Sequence, residues 1–374
     1  MVHVHLMRAG EGDFIWLNYG DNEKRHNLLI DGGVKSCGEK FADVIRKIAN
    51  RGETIEAIIL THIDCDHIAG ACDGIARVEI EILQKTVKKI IFNASKEINK
   101  EILVNTNLGV YGVNDGIEFW EILKQKKIQN RMITEVISGQ VINLDEGAVL
   151  KIISPGIKEL KKLYEKWEKY EEKHGKVGYA ANTELVNDDL DDLMNYRVGT
   201  DNSVNNASSI AFLFEYKEVK GAFLSDAKPS VCIDGLRKFN IKSNYKVDFI
   251  KLSHHGSRSN TNLKLLDILV TKDYLLSTNG NEKKVPSKVV IAKLVKNCLL
   301  REMSGVAIYC NYDWWEVQYH NRYFTNTDKE RYIDSKMLKI QLLNKDGIEI
   351  KDGLILYGKD SIPKSITKIY CKNM

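Results

Sequence analysis

No stretch of this sequence approaches the ~20 consecutive apolar residues that a membrane-spanning helix needs, so no contact with a membrane is expected. The first residues, "MVHVHLMRAGEGDF", lack the basic and then apolar regions of a secretion signal. Cysteine is scarce and poorly arranged for cross-linking: there are seven, an odd number, with no Cys-x-x-Cys pair. A disulfide framework is therefore not expected, and a reducing cytoplasm is the simplest setting. A strong charge of one sign is lacking too. The net charge of +4 permits a polyanionic substrate without demanding one. Repeats and low-complexity tracts are absent.

What is present is a chain of 374 residues, enough for one large domain or two smaller ones. Short apolar runs alternate with helix-patterned segments. "NLLIDGG" (27–33) and the run Ile55–Leu60 read as strands, and "GEKFADVIRKIANRG" (38–52) has helical spacing at Phe41, Val44, Ile45 and Ile48. Residues 140–156 read as a hairpin turning at Asp145-Glu146-Gly147, and 208–227 as a strand pair ending at Asp226. This alternation predicts a layered α/β domain. Residues 157–206 differ: "KELKKLYEKWEKYEEKHG" carries Leu160, Leu163, Trp167 and Tyr170 on one helical stripe, and an acidic stretch follows. They read as a helical and acidic insertion, either covering a site or packed on a flank. Residues 311–374 read as a β-rich C-terminal extension.

The chemistry concentrates in "THIDCDHIAGACDG". A buried strand ends in His62, Asp64, Asp66 and His67, all metal-ligand types, and the glycines that follow are expected to turn the chain away. Cys65 is out of phase with these and is expected to be a buried thiol. Three other strand ends carry matching chemistry: Asp31, Asp226, and the pair His254 and His255 before a Gly-Ser loop. Adjacent residues at a strand end point apart, so one of that pair is expected to be structural. Mixed imidazole and carboxylate donors suit Zn²⁺ and also Mn²⁺, and a carboxylate such as Asp226 can bridge two ions. One or two divalent metals are the expected cofactor, Zn²⁺ before Mn²⁺. His3, His5, His26 and His320 lack such company and read as surface or satisfied core residues.

Six motifs, "GEGD", "LLIDGG", "THIDCDHIAG", "LSDA", "LSHHGS" and "STNG…PSKVVIAKL", occur in an order that resembles the metallo-β-lactamase-like domain of ComEC-type competence proteins. This chain has His-x-Asp-x-Asp-His where the common signature is His-x-His-x-Asp-His. The resemblance spans residues 1–156 and 207–310. It implies an αββα sandwich and a hydrolase in which His62 and Asp64 face one metal and Asp66 and His67 a second. Asp226 would bridge, and His254 would complete the second site, with His255 as the alternative ligand or a catalytic residue. Asp66 would also orient the attacking hydroxide. Asp13, Asp31, Asn206 and Ser209 fall at supporting positions. The family's further ligand histidine has no counterpart here except His174, inside the insertion.

The resemblance favours a phosphodiester substrate, either nucleic acid or a phosphorylated small molecule, with Arg258 and Lys251 beside "LSHHGS" as candidates to hold a phosphate. Two other readings stay open at this stage. One is a lactonase or other ester hydrolase using the same metals. The other is a partner-binding protein that keeps the fold and uses its insertion or C-terminal extension as the interface.

Overall fold

The computed structural model describes residues 1–21, 24–93, 113–170, 185, 187–280, 285–317, 322–343, 348–351 and 354–357. His174 and His320 lie outside the described residues.

Strand β1 (Val2–Leu6) shows the simplest local logic: Val2, Val4 and Leu6 are buried, while His3 and His5 are half-buried on the opposite face. It pairs antiparallel with β2 (Ile15–Gly20), which pairs antiparallel with β3 (Arg25–Ile30). From β3 the pairing turns parallel through β4 (Thr54–Ile59), β5 (Ile90–Ile91) and β6 (Met132–Ile133). The second sheet begins with the hairpin β7 (Val141–Asn143) and β8 (Val149–Ser154), which turns at Asp145–Gly147 as its sequence predicts. It continues through β9 (Ala211–Tyr216) and β10 (Val219–Phe223). A small pair, β11 (Tyr245–Lys246) and β13 (Leu269–Val270), stands aside. Strands β12 (Phe249–Lys251), β14 (Asp273–Leu276), β15 (Val306–Cys310) and β16 (Leu338–Leu342) run parallel beyond β10. The hairpin β17 (Ile348–Lys351) and β18 (Leu354–Tyr357) joins the first sheet beside β1. The strands of the C-terminal stretch thus extend both sheets at their edges rather than forming a layer of their own.

The inner faces of the two eight-stranded sheets meet in one apolar core, with Leu17, Leu28, Ile59, Leu150, Phe212, Phe214 and Phe249 at its centre. Helices cover both outer faces. Gly38–Asn50 buries Phe41, Val44, Ile45 and Ile48 on one side, and Lys288–Leu300 buries a nearly continuous apolar surface on the other. The architecture is the expected αββα sandwich. Its consequence for function is directional. β3 and β4 run parallel in one sheet, and β10, β12 and β14 run parallel in the other. The loop after β4 reaches across to the segment that leads into β9: Ile210 N–H donates to the Thr61 carbonyl at 2.9 Å.

Among the described residues no helix is long and apolar enough to cross a membrane.

Candidate metal centre

The loop after β4 begins as expected, but from Cys65 the chain is helical, through Arg77. The glycines of "IAGACDG" therefore do not turn the chain; they let it pack. A Cβ at Gly70 would lie 2.1 Å from the Gly32 carbonyl oxygen, and one at Gly74 would strike Phe41. Helical periodicity also turns Cys65 outward. It is exposed, not the buried thiol that strand alternation predicts.

Asp31 is the hub of this corner. Its carboxylate accepts the Thr61 N–H, the Thr61 hydroxyl and the Nδ1–H of His67, each at 2.8 Å. A carboxylate can only accept here, so His67 carries its proton on Nδ1 and turns Nε2 inward. The Thr61 hydroxyl, committed to Asp31, accepts the His62 Nδ1–H at 3.0 Å, and Ser209 Oγ lies 3.4 Å from the same nitrogen. Ser209 also accepts the Asp226 N–H at 3.3 Å. His255 donates its Nδ1–H to the Ser277 carbonyl at 3.0 Å, which leaves Nε2 facing inward.

These side chains converge on Asp226, and its two oxygens face different company. Oδ1 lies 3.5 Å from His67 Nε2 and 3.9 Å from His255 Nε2, and Asp66 Oδ2 lies 3.9 and 3.6 Å from the same two nitrogens. Oδ2 lies 3.8 Å from His62 Nε2 and 3.6 Å from His254 Nε2, with Asp64 Oδ2 3.5 Å from His62. Each side of Asp226 thus gathers two imidazoles and one further carboxylate. Four of the converging atoms, Nε2 of His62, His67 and His255 and Oδ1 of Asp226, are buried without a hydrogen-bond partner. Buried polar atoms are rarely left so, and divalent cations on the two sides of Asp226 would satisfy all four. His62, His67 and Asp226, and separately Asp66, His67 and His255, are close enough to share an ion.

The electrostatics point the same way. Burial opposes ionisation of Asp226, but His254, His67 and His255 hold its carboxyl well below the usual carboxylate range. Burial also disfavours charge on His67, yet Asp226, Asp31 and Asp66 raise its pKa well above the usual imidazole value.

The histidine pair departs from the sequence reading. Both residues adopt left-handed backbone, with φ of 49° and 53°, in the turn Ser253–Gly256. Side chains that would point apart on a strand are thereby brought to the two sides of Asp226. Both imidazoles face Asp226, and it is His255, not His254, that lies beside Asp66 and His67. Left-handed backbone costs ~1–3 kcal/mol at a non-glycine residue, and such strain concentrates at functional sites.

The remaining candidates divide. Asp13 lies beside the centre, with Oδ1 3.6 Å from His255 Nδ1. It reaches there because Gly12 passes so close to the ligand loop that a Cβ would sit 1.5 Å from the Asp66 carbonyl oxygen. Lys251, expected to hold a phosphate, is buried at 1% exposure and ion-paired with Asp13. β12 points it into the sandwich rather than toward solvent. Asn206 lies 3.3 Å from His254 Nδ1. Arg258 is half-buried on the turn Arg258–Asn260, and that turn's contribution to the centre is Asn260, whose Oδ1 accepts the His254 Nδ1–H at 3.0 Å. Asn205, Asn260, Asp201, Lys166 and Ser277 were not singled out from the sequence. The Asn205-Asn206 doublet was the one visible signal among them.

Residues 20–73, which include Asp31 and the whole 62–67 cluster, match the model of the metallo-beta-lactamase superfamily. Among solved structures the chain is similar to the metallo-beta-lactamase fold protein YhfI from Bacillus subtilis, at 11% identity over 96% of this chain and 99% of that one, with a TM-score of 0.40. It is also similar to a diphosphatase from the PhnP family, at 12% identity over 96% and 98% of the two chains, with a TM-score of 0.38. A third is the metallo-beta-lactamase SMB-1 bound to 2-mercaptoethanesulfonate, at 11% identity over 80% and 94%, with a TM-score of 0.32. No curated relative matches the chain.

Proposed function

We propose that this protein is a metal-dependent hydrolase acting on phosphodiester bonds. The observation that carries the reading is the convergence of orphaned buried donors on the two oxygens of Asp226. His67, His255 and Asp66 would hold one ion, His62, His254 and Asp64 a second, and Asp226 would serve both. The mixed imidazole and carboxylate set suits Zn²⁺ first and Mn²⁺ second. Bound there, divalent ions supply Lewis-acid polarisation of a phosphoryl group and acidify the attacking water.

The chain's own groups do the rest. Asp66 presents Oδ2 at the buried side of the centre, where it can accept a hydrogen bond from the attacking water and fix its direction. Asp31 and the Ser277 carbonyl hold His67 and His255 in the tautomers that keep Nε2 unprotonated. The preference for a phosphodiester rests on the ComEC-type motifs and on cations at the open side. Lys166 reaches Asn205 at 2.9 Å, and Lys228, two residues past Asp226, is half-buried. Arg258 is the further candidate to hold a phosphate.

The test is turnover of a small aromatic phosphodiester, single-stranded DNA, a lactone and an aryl ester, each with Zn²⁺, Mn²⁺ and Mg²⁺. Metal-dependent turnover of the phosphodiesters, lost on chelation, is the expected result. Lactone or ester turnover alone moves the substrate class, and turnover of none of them favours the partner-binding reading.

A further inference from the structure

The two sides of the centre are supported by different parts of the chain. On the Oδ1 side, His67 rests on Asp31 and His255 on Ser277, both from the sandwich. On the Oδ2 side, His62 rests on Thr61 and Ser209, but Asp64 and His254 draw support from Lys166, Asp201 and Asn205, all within 157–206. The Lys166 ammonium, on helix Ile157–Tyr170, donates to Asn205 Oδ1 at 2.9 Å, and the Asn205 amide N–H in turn donates to Asp64 Oδ1. Opposite in sign but alike in form, Asp201 Oδ2 accepts an amide N–H from Asn260 at 3.0 Å and another from Asn206 at 2.7 Å. That fixes Asn260 with Oδ1 toward His254, whose Nδ1–H it accepts at 3.0 Å.

Each relay has the same parts: a charged residue of the insertion, an amide with a settled orientation, and a ligand-type side chain. The charge decides which way the amide faces. A cation on Asn205 Oδ1 leaves only N–H for Asp64. A carboxylate on the Asn260 N–H leaves only the carbonyl for His254, so His254 keeps its proton on Nδ1 and presents Nε2. Without Lys166 the Asn205 amide can turn over and set oxygen against the Asp64 carboxylate; without Asp201 the Asn260 N–H keeps only the Asp226 carbonyl, at 3.2 Å, to hold it away from His254 Nδ1.

We infer that the insertion is the outer support of the Oδ2 side of the metal centre, with Lys166 and Asp201 acting as positioning residues for Asp64 and His254 through Asn205 and Asn260. The inference rests on the metal-centre reading above and gives the insertion a definite task within it: it tunes one of two ions and leaves the other to the sandwich.

The experiment is a Zn²⁺ titration of the metal-free full chain against a chromophoric chelator, resolving two affinities, with Co²⁺ absorption spectra as a second readout. The proteins are wild type, Lys166→Met, Lys166→Arg and Asp201→Asn. Loss of an outer partner lowers metal affinity by about 10- to 100-fold. Lys166→Met and Asp201→Asn should weaken one ion by that factor, leave the other in place, and alter the Co²⁺ spectrum of the weakened ion only; Lys166→Arg should restore most of the affinity. Two unchanged affinities in both variants overturn the inference, as does equal loss of both ions. Equal loss together with a lower melting temperature of the metal-free variant identifies a purely structural role, which also overturns it. A wild type that binds no ion overturns the metal reading itself, a result these variants cannot mimic.

Discussion

The two sides of Asp226 have nearly the same donors and different surroundings. On the Oδ1 side, Asp66, His67 and His255 have side-chain exposures of 5%, 0% and 0%. On the Oδ2 side, His62 is equally buried, but Asp64 reaches 35% and His254 22%. The buried side is held by strand ends and short loops of the sandwich; on the open side His62 rests on Thr61 and Ser209, while Asp64 and His254 lean on Lys166 and Asp201 through two amides. Burial keeps an ion's ligands rigid and water out, while an open side leaves room for substrate to enter and products to leave. The difference teaches a division of labour among the supports: His67 and His255 rest on Asp31 and Ser277, whereas Asp64 and His254 rest through amides on Lys166 and Asp201.

The largest effect should come from the residue common to both sides. Asp226→Asn keeps the shape but replaces the carboxylate proposed to serve both ions with a neutral amide. Turnover should fall by ~10²–10⁴, as is common when a catalytic group is removed, with both metal affinities reduced. Full turnover with two ions bound would break the comparison at its centre. Next come the two neighbouring histidines. His255→Ala should remove the ion of the buried side and His254→Ala that of the open side, each leaving about one ion per chain by elemental analysis. Identical residual metal with identical Co²⁺ spectra would mean that both serve one site.

A smaller effect follows from protonation. His67 has a raised pKa in the metal-free protein, so an ion on the buried side must displace its proton. Metal affinity there should rise with pH, by at most about tenfold per unit for one proton, until His67 is neutral without help. The same shift has a stability sign. The His67 contribution to the metal-free fold is complete below the unfolded imidazole value and is lost as pH rises through the folded one. Asp226, with its depressed pKa, contributes above the unfolded carboxylate value, and that is lost as pH falls through the folded one. Metal affinity that falls between pH 6 and 8 would contradict this account. The last effect is steric and falls on stability first. Gly12→Ala pushes a methyl group against the Asp66 backbone and should lower the melting temperature and disturb the buried ion more than the open one.

The buried side was largely legible in the sequence. A β-branched run ending in four ligand types announces both strand and site, and Asp31 and Asp226 stand just past their strands; Asp66 and His67 reach the same place from the first turn of the helix Cys65–Arg77, which the sequence pattern reads as a loop. The His254-His255 pair was legible as chemistry but not as geometry, because alternation is a rule for strands and both residues lie in left-handed turn backbone. Lys251 shows the reverse failure: its charge and position beside "LSHHGS" implied a surface role, yet its buried partner, Asp13, is 238 residues away. The open side was nearly illegible. Asn205, Asn260, Lys166 and Asp201 are ordinary polar residues in polar segments, and only tertiary contact makes relays of them.

The central claim is that two ions flank Asp226, one at each oxygen. Anomalous diffraction from crystals of the full chain grown with Zn²⁺, collected on either side of the zinc edge, tests it most directly. The account predicts two peaks: one ligated by Asp66, His67 and His255, the other by Asp64, His62 and His254, with Asp226 reaching both. A single peak on the buried side, with the His254 ring turned away from Asp226 at saturating Zn²⁺, would contradict it.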